Sequence, residues 1–412
     1  MSQNQRPSQI YDAVVVGGGP SGSTAATDLA RQGRSVLLLD KAGRIKPCGG
    51  AIPPQVLKEF DVPEHLLVAR IKSARIIAPS HRHVDMPVDD GFVGMVDRDV
   101  FDEWLRERAR LAGAKRLTGT FSRLDREADG TLRVYCLEKD TKTEAAPIRA
   151  RMVIGADGAN SRVARQEVPE AADIPFVFAY HEIIASPNDE NPSQTMEPST
   201  KHPAFDAARC DVYYQGHVSP DFYGWVFPHG SSTSVGVGSA QKGFSLREAV
   251  RSLRSASGLQ GMTTKRCEGA PIPLRPAKRF DNGKDVVLAG DAAGLVAPAS
   301  GEGIYYAMLG GRLAADAVHE ALETGNAKAL ASARRRFVRT HGRIFWILGM
   351  MQHFWYRNDK RRERFVKMCA DKDVQRMTWE AYMNKRIVRE RPLSQVKVFL
   401  KDMAHLLGVA RV

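Results

Sequence analysis

The chain has 412 residues, a formal net charge of +13 and an ordinary globular composition, so it can bury a large core and form two or three domains. A polar N-terminus, with apolar stretches far shorter than the roughly 18 to 20 residues of a spanning helix, predicts a cytoplasmic protein without transmembrane segments. Five scattered cysteines without a C-x-x-C pair indicate neither a disulfide framework nor a metal site.

The chain opens on a predicted strand, glycine turn and helix. Ala13–Val16 is an apolar run typical of a buried parallel strand, and Ser23–Arg31 has the Ala and Leu spacing of a packed helix. Between them, Gly17 permits a tight turn, Gly19 lets a pyrophosphate approach the backbone, and Gly22 lets the helix pack on the strand. This G-x-G-x-x-G pattern predicts a dinucleotide whose diphosphate lies at the helix N-terminus.

An acidic residue ends the second predicted strand. The predicted strand Ser35–Leu39, apolar after Ser35, leads into Asp40, 18 positions after Gly22, where a carboxylate can accept hydrogen bonds from a ribose. An acid there favours adenosine over its 2′-phosphate. A glycine triplet alone would suit any tight strand-to-helix turn, but strand, triplet and acid together favour a dinucleotide site.

The next region is a predicted loop followed by a strand and a helix. Residues 41–54 are too rich in Gly and Pro for a regular element and predict a long loop near the nucleotide. Ala74–Met86 alternates in strand fashion, and Asp99–Leu105 begins a helix with acids in its first turn. Arg98 stands where a guanidinium could reach a phosphate, with a surface ion pair as the alternative.

Two later segments repeat the pattern of an apolar strand followed by a turn of small residues. Thr131–Leu137 and Arg151–Ile154 are predicted strands, and the second leads to a small-residue turn that contains Asp157. Residues 285–289, apolar after Asp285, likewise lead to a turn that contains Asp291. Each aspartate alone could be a helix cap. Together with the first turn, they match a flavin-binding set.

A glycine loop precedes the longest predicted helix, Ile304–Leu322. Gly301 and Gly303 expose backbone N–H groups just before it. Such an N-terminus could face a negatively charged ring, as in reduced flavin.

Four further strands predict a separate antiparallel sheet that would form an inserted substrate domain. These strands are rich in aromatic residues. The aromatic side chains either line a ligand site or fill the core of the domain. The predicted strands are Val177–Ile184, Cys210–Gly216, Tyr223–Pro228 and Thr233–Gly238, and the candidate ligand-lining residues are Tyr213, Tyr223, Trp225 and Phe227.

The charge excess is confined to the C-terminal fifth. Residues 331–412 carry 20 Lys and Arg against 7 Asp and Glu, which suits an anionic membrane surface, an acidic protein or nucleic acid, with a solvated helical face as the alternative. Arg343–Arg357 brackets an apolar segment too short to span a bilayer. It either packs on the domains or lies in an interface plane.

The three turns resemble the FAD-binding fold of the para-hydroxybenzoate hydroxylase type. Within that fold, residues 47–54 around Cys48, the stretch Tyr223–Pro228 and the turn Gly290–Gly294 resemble geranylgeranyl reductases, which complete the phytyl tail of chlorophylls and bacteriochlorophylls. The resemblance implies stepwise reduction of a geranylgeranyl chain, attached to (bacterio)chlorophyllide or as the free diphosphate. The absence of a plastid-type leader favours a bacterial enzyme and bacteriochlorophyll.

The resemblance also implies the architecture and the cofactor site. The fold class is α/β, with an FAD-binding Rossmann-like domain, an inserted antiparallel-sheet substrate domain and a C-terminal helical region. We predict the FAD domain in residues 1–75, 92–165 and 280–330, the substrate domain in 76–91 and 166–279, and the basic helical region in 331–412. The expected FAD contacts are Gly17, Gly19, Gly22, Asp40, Lys41, Cys48, Gly49, Arg98, Asp157, Asp291, Gly301 and Gly303.

The electron donor is less clearly indicated. No second G-x-G-x-x-G is present, but relatives of this fold accept NADPH without a separate Rossmann domain, so NADPH is the expected reductant. Reduced ferredoxin, typically acidic, is the alternative that a basic surface could serve. Nucleic acid is not expected, whereas peripheral association with an anionic membrane is.

The substrate chemistry singles out Cys48 as the catalytic candidate. The double bonds of a geranylgeranyl tail are isolated, so hydride addition needs a proton at the other carbon. Thiols are largely protonated at neutral pH, and Cys48 could donate or relay that proton, with a Tyr or ordered water as alternatives and a turn-filling role as the simplest interpretation. Two other functions stay open on this fold: a flavin monooxygenase, and a membrane-associated flavoprotein with a structural or pigment-carrier role.

Overall fold

The computed structural model describes residues 9–41, 45–89, 91–139, 143–187 and 205–385. Contacts divide the chain into two compact units. The first comprises the described parts of residues 1–46, 98–176 and 271–349, and the second comprises those of residues 47–97, 177–270 and 350–412.

Strands dominate the first two thirds of the chain, and helices dominate its C-terminal part. The strands are β1 (Ile10–Val16), β2 (Val36–Asp40), β3 (Ala51–Ile52), β4 (Leu67–Ile71), β5 (Ser73–Ile77), β6 (His83–Pro87), β7 (Val93–Val96), β8 (Lys115–Thr118), β9 (Thr120–Arg126), β10 (Leu132–Leu137), β11 (Ile148–Gly155), β12 (Phe176–Ala185), β13 (Arg209–Tyr213), β14 (Gly224–His229), β15 (Ser232–Ser239), β16 (Thr264–Pro273) and β17 (Val286–Leu288). The helices are α1 (Pro20–Arg31), α2 (Pro54–Glu59), α3 (Arg98–Leu111), α4 (Arg162–Glu167), α5 (Leu246–Ala256), α6 (Ile304–Thr324), α7 (Ser332–Trp355), α8 (Asp359–Met368) and α9 (Lys372–Asn384).

The first unit is built on a sheet in the order β8-β2-β1-β11-β10-β9, with β17 also paired to β11. β8, β2, β1, β11 and β17 run parallel, and β10 and β9 join antiparallel. The central parallel strands are nearly continuous apolar runs because both of their faces are buried. The three predicted turns follow β1, β11 and β17, so they lie at the same edge of the sheet, where ligands of such folds bind.

Two long helices of the first unit cross at very short range. A Cβ on Gly311 of α6 would lie 2.1 Å from the carbonyl oxygen of Ser21 in α1, so only glycine allows this approach. The first part of α7 packs on α6 through aromatic rings: Phe345 contacts Tyr306 with a centroid separation of 4.8 Å. The glycine turn after β1 is therefore anchored from the α6 side as well as from the sheet.

The second unit contains a sheet in the order β16-β12-β15-β14-β13-β5-β6 and a small sheet of β3, β7 and β4. In the larger sheet, the pairs β12–β15, β15–β14, β14–β13 and β5–β6 are antiparallel, and the pair β13–β5 is parallel. One face packs against α5, where Val226 and Val235 meet Val250 and Leu253. The alternating stretch Ala74–Met86 is two strands of a hairpin and not one, because a turn intervenes.

The two units differ from the predicted domains at several boundaries: residues 92–97 belong to the second unit, and residues 166–176 and 271–279 belong to the first. Residues 47–75 group with the second unit because β4 pairs with β7 and β5 pairs with β13. The C-terminal helices do not form a unit of their own: α7 up to Gly349 belongs to the first unit, whereas α8 and α9 belong to the second. Within the described ranges, no helix is long and apolar enough to cross a membrane.

Candidate active site

The three glycines of the first turn have different surroundings. Gly17 has φ 107°, and a Cβ there would lie 2.3 Å from the carbonyl oxygen of Ala156. A Cβ on Gly22 would lie 1.8 Å from the carbonyl oxygen of Gly17. By contrast, apart from Gly19 itself and its chain neighbours, no atom of the described residues lies within 4 Å of the position that a Cβ on Gly19 would take. Gly17 and Gly22 are thus required by the fold, and Gly19 borders open space.

The start of α1 contains unused hydrogen-bonding groups. The helix begins directly after Gly19, and no side chain caps its first turn. The hydroxyl oxygens of Ser21 and Thr24 are buried and have no hydrogen-bond partner among the described residues. Buried polar groups without partners are uncommon, and a helix N-terminus attracts anions. The arrangement fits a diphosphate.

Asp40 lies next to the glycine turn, as predicted. Its carboxylate accepts a hydrogen bond from the backbone N–H of Gly18 at 3.1 Å. Arg106 of α3 lies 3.6 Å from the same carboxylate and donates to the carbonyl oxygen of Gly18 at 3.2 Å. These contacts hold the Asp40 carboxylate beside the glycine turn. Arg106 was not identified from the sequence, although it lies two helical turns after Arg98.

Asp157 in the second turn is a helix cap. It accepts hydrogen bonds from the Ser161 hydroxyl at 2.5 Å and from the backbone N–H groups of Arg162 and Val163 at 2.7 and 3.3 Å. Burial raises the pKa of this carboxyl, although the three donors oppose that shift. A Cβ on Gly17 would lie 3.0 Å from the Cα of Asp157, so the second turn abuts the first.

Asp291 in the third turn is buried and forms an ion pair with Lys46. Gly303, just before α6, lies close by, since a Cβ there would be 4.0 Å from the Asp291 carboxylate. A Cβ on Gly290 would lie 2.7 Å from the Cβ of Ser21, which brings the third turn against α1. All three turns therefore meet in one unit. Lys46 was not identified from the sequence because it stands alone in the irregular loop.

The glycine loop before α6 is closed by its own backbone. The N–H of Ala297 donates to the carbonyl of Glu302 at 2.9 Å, and that of Gly301 donates to the carbonyl of Ala297 at 3.0 Å. Gly301 has φ 67°, which favours glycine. No side chain caps the start of α6 among the described residues. This loop thus holds a bare helix N-terminus beside Asp291.

Arg98 and Lys41 have less direct relations to this site. Arg98 forms a bidentate ion pair with Asp102, with distances of 2.8 and 2.7 Å, and both side chains are buried. The ion pair foreseen as the alternative for Arg98 thus exists, but in the interior and not at the surface. Lys41 is exposed immediately after β2.

In the second unit, the Cys48 loop is held against β14 and β7. A Cβ on Gly49 would lie 3.1 Å from the ring of Phe227. The backbone N–H of Gly50 donates to the Cys48 Sγ at 3.4 Å, and the Gly50 carbonyl accepts from the N–H of Val96 at 3.0 Å. The loop is irregular, but the backbone that follows the thiol is tied down.

Three of the predicted aromatic residues form a row along β14. Tyr223 and Trp225 have ring centroids 6.0 Å apart, and Trp225 and Phe227 have centroids 6.2 Å apart. Burial, followed by the neighbouring Tyr214 and Cys48, raises the pKa of Tyr223 far above its usual value. The Cys48 loop and this aromatic row are therefore neighbours in the second unit.

Tyr213 lies apart from those three residues. It packs in the core beneath α5 with Val226 and Leu253, where burial raises its pKa to about 12. Tyr214 instead takes the place beside the aromatic row that was expected for Tyr213, because its ring centroid lies 5.8 Å from that of Tyr223. Two consecutive tyrosines point to opposite faces of a sheet, and the sequence does not say which faces the ligand side.

Comparison with known proteins agrees with these observations. Residues 71–339 match the family model of an FAD binding domain, and residues 15–71 match that of an NAD(P)-binding Rossmann-like domain. A geranylgeranyl diphosphate reductase of Rhodobacter capsulatus is 56% identical over 97% of this chain and 98% of its own. A chloroplastic geranylgeranyl diphosphate reductase of rice, Oryza sativa, is 36% identical over 95% of this chain and 85% of its own.

The chain belongs to the geranylgeranyl reductase family. A solved structure, that of a geranylgeranyl bacteriochlorophyll reductase-like protein from Thermoplasma acidophilum, is 23% identical, with a TM-score of 0.78 over 93% of this chain and 99% of that one. At that identity the match shows the fold. The predicted fold class and the resemblance to geranylgeranyl reductases are thus confirmed.

The first unit of this geranylgeranyl reductase fits FAD. The open space beside Gly19, the uncapped start of α1 and the orphan hydroxyls of Ser21 and Thr24 suit a diphosphate. Asp40 suits the adenosine ribose. The individual FAD contacts stay predictions.

Proposed function

We propose that the protein saturates isolated double bonds of a geranylgeranyl chain, stepwise, to give phytyl. The observation that carries the proposal is the placement of the Cys48 loop beside the aromatic row of β14, in a chain whose Rossmann-like unit fits FAD. Apolar aromatic side chains suit contact with a prenyl chain, and the neighbouring thiol suits the delivery of a proton to its double bond. The whole-length similarity to a protein named geranylgeranyl diphosphate reductase supports the same reaction.

We assign cofactor binding to the first unit. Gly19 and the start of α1 would hold the diphosphate, Asp40 the ribose, and Asp291 with the bare N-terminus of α6 the region near the ring. FAD, when bound, supplies the hydride. The remaining predicted contacts of this unit would support these groups: Arg98, Asp157 and Gly301 fix the local structure, and Lys41 directly follows Asp40.

We assign to Cys48 the role of proton donor. Saturation of one double bond adds a hydride to one carbon and a proton to the other, and an isolated alkene has no carbonyl to stabilise charge. A positioned acid is therefore required. The Cys48 Sγ–H would give its proton to the second carbon and regain one from solvent. Tyr223, Trp225 and Phe227 would line the prenyl chain and keep water from it.

The substrate and reductant follow from the same chemistry. We assign a geranylgeranylated bacteriochlorophyllide or chlorophyllide, or the free diphosphate, as substrate and NADPH as reductant. Reduced ferredoxin is the alternative donor, and the basic C-terminal fifth supports it.

Peripheral membrane association is part of the proposal. On α7, Trp346 and Met350 are 67% and 43% exposed, one helical turn apart, and Arg339 and Arg343 are nearby on the same helix. An apolar pair with flanking cations is typical of interfacial helices. A substrate tail of this length is poorly soluble in water, so such a location would give access to it.

The deciding experiment is mass spectrometry of the prenyl tail after anaerobic incubation with geranylgeranylated pigment or geranylgeranyl diphosphate and NADPH. Stepwise gains of two hydrogens are expected. NADPH-coupled oxygen consumption that depends on substrate, without saturated product, would instead support the monooxygenase. Bound FAD that neither NADPH nor reduced ferredoxin reduces would support the pigment carrier.

A further inference from the structure

His229, at the end of β14, lies between that strand and the Cys48 loop. The imidazole is buried, and its Nδ1 lies 3.0 Å from the carbonyl oxygen of Phe227. The opposite nitrogen, Nε2, faces Gly50: a Cβ on Gly50 would lie 2.6 Å from it. The ring thus touches β14 at one nitrogen and the loop at the other.

The backbone of Gly50 links His229 to the Cys48 thiol. Gly50 has φ 69°, and a Cβ there would also lie 2.5 Å from the carbonyl oxygen of Val96. Its N–H donates to the Cys48 Sγ at 3.4 Å. A shift of Gly50 would therefore move the donor that fixes the sulfur. Between Val96 on one side and His229 on the other, Gly50 has little freedom.

We propose that His229 is a positioning residue for Cys48, acting through Nε2 on the Gly49–Gly50 backbone. Its consequence for catalysis rests on the proposed function of Cys48, whereas the positioning rests on the contacts alone. The prediction is that the environment of the thiol changes when the Nε2 contact is lost.

The rate of Cys48 alkylation by iodoacetamide tests this directly. Cys267 is exposed and the other three cysteines are buried, so a Cys267→Ser background leaves Cys48 as the reactive thiol. In FAD-loaded protein, His229→Gln keeps an amide near the Nε2 position, whereas His229→Asn places it near Nδ1. We expect His229→Gln to keep the alkylation rate and His229→Asn and His229→Phe to change it about tenfold or more, because a shift of Gly50 moves the N–H that donates to the Cys48 Sγ.

His181 provides a matched control. It is equally buried in the same sheet and contacts Ser234 and Glu268 at 2.9 and 3.1 Å. His181→Gln should leave Cys48 alkylation unchanged. Equal alkylation rates in His229→Gln and His229→Asn, with both proteins folded by their melting curves, would overturn the proposal. Full reductase activity in Cys48→Ala would overturn the catalytic role of Cys48 and leave the alkylation result standing.

The second unit also contains a cleft of about 380 Å³ on the α5 side. Arg247, Arg251 and Arg254 line it from one face of α5, since they are four and three residues apart. Tyr180, Glu182 and Cys267 line it too. Like charges at this spacing destabilise a helix unless they are neutralised.

Only one of the three arginines has a carboxylate partner among the described residues. Arg254 donates to Glu182 at 2.6 Å. Arg247 lies over the ring of Tyr180, 5.8 Å from its centroid. Arg251 has no ionic partner in the described part of the chain. The lining therefore carries an excess of two positive charges, and the geometry points to a site for a phosphate monoester or diphosphate group.

Calorimetric titration of the FAD-loaded protein with inorganic diphosphate tests this site. Arg247→Ala and Arg251→Ala should each weaken binding about tenfold, as for loss of one charge-assisted contact. Arg82→Ala, an exposed arginine elsewhere in the second unit, is the control with equal charge and should bind normally. Competition by geranylgeranyl diphosphate but not geranylgeraniol would identify a substrate head group, and competition by NADPH but not NADH would identify the 2′-phosphate. Equal affinity in all three variants, or no binding at millimolar diphosphate, would overturn the site.

Discussion

Arg98 and Asp102 form a buried bidentate ion pair within the first two turns of α3, with donor to acceptor distances of 2.8 and 2.7 Å. Each residue is 5% exposed, so neither charge is well solvated without the other. Buried pairs of this kind contribute little net stability when compared with apolar residues, but the loss of one partner is costly. The pair therefore stabilises the first turns of α3, and Arg106 of the same helix contacts the glycine turn.

We expect Arg98→Ala to lower the free energy of unfolding by about 3 to 5 kcal/mol, because it leaves Asp102 as an uncompensated buried charge. Urea denaturation of the apoprotein measures this. Arg110, in an exposed pair with Glu107 on the same helix, is the control, and its replacement by alanine should be silent. A silent Arg98→Ala would mean that Asp102 finds another partner.

Replacing Gly19 should abolish FAD binding without unfolding the protein. A Cβ at Gly19 would meet no described atom beyond its own chain neighbours, so Gly19→Val fills only the space that a ligand would take. Gly22→Ala is the contrasting variant: its Cβ would clash with the Gly17 carbonyl, at a cost of about 1 to 3 kcal/mol or more. FAD absorbance after gel filtration and the apoprotein melting temperature separate the two effects. Full FAD content in Gly19→Val would refute the assignment of this turn.

The features that the sequence predicts best depend on local spacing. The G-x-G-x-x-G turn, the acid at Asp40 and the long helix after Gly303 can be found because strand, turn and helix are contiguous in the chain. The turns at Asp157 and Asp291 can be found for the same reason, and parallel pairing of β1, β11 and β17 explains why they meet.

What the sequence does not predict depends on distant partners or on the choice between two faces. Arg106 reaches Gly18 from 88 residues away, and Lys46 reaches Asp291 from 245 residues away, with no local signal. Tyr213 and Tyr214 are adjacent, and only the pairing of β13 with β14 settles which one faces Tyr223. His229 follows the predicted strand, but its contact with Gly50 requires the fold of an irregular loop.

The stability of the protein should depend on pH through His229. Burial, with smaller contributions from His181 and Arg266, lowers its pKa from an ordinary 6.5 to about 4, although the backbone of Phe227 and Gly49 opposes the shift. The unfolded chain therefore binds the proton first as pH falls. Stability should be complete above about pH 6.5 and decline as pH falls towards 4. His229→Gln should flatten this part of the profile of melting temperature against pH, and an unchanged profile would assign the dependence to other groups.

Membrane binding should depend on the exposed face of α7. Trp346→Ala with Met350→Ala should weaken binding to anionic liposomes at least about tenfold, because each buried apolar side chain contributes about 1.5 to 3 kcal/mol. Liposome sedimentation at low and high salt measures this binding, and the contribution of the cationic side chains to it should fall at high salt. Leu111, 72% exposed on α3, is the control apolar residue. Absence of binding by the unaltered protein at low salt would contradict the membrane proposal.

Cys48→Ala should leave FAD content and reduction of the protein by its donor nearly intact while slowing the step that consumes the alkene. The reason is that only the second carbon of the double bond needs an acid, and general acid assistance contributes about 10² to 10⁴-fold. Single-turnover traces, in which reduced enzyme is mixed anaerobically with substrate, report that step alone. Cys136→Ala, a cysteine of the first unit, is the control.

Two outcomes of that experiment point to different residues. Normal alkene reduction in Cys48→Ala with full FAD would remove the thiol from the mechanism and direct attention to Tyr223, which neighbours the same loop. In that case Tyr223→Phe should show the loss of about 10² to 10⁴-fold in its place, since it removes the hydroxyl and keeps the ring. A loss in Cys48→Ala that Cys48→Ser partly restores would instead show that a proton-bearing side chain at this position is what the reaction needs.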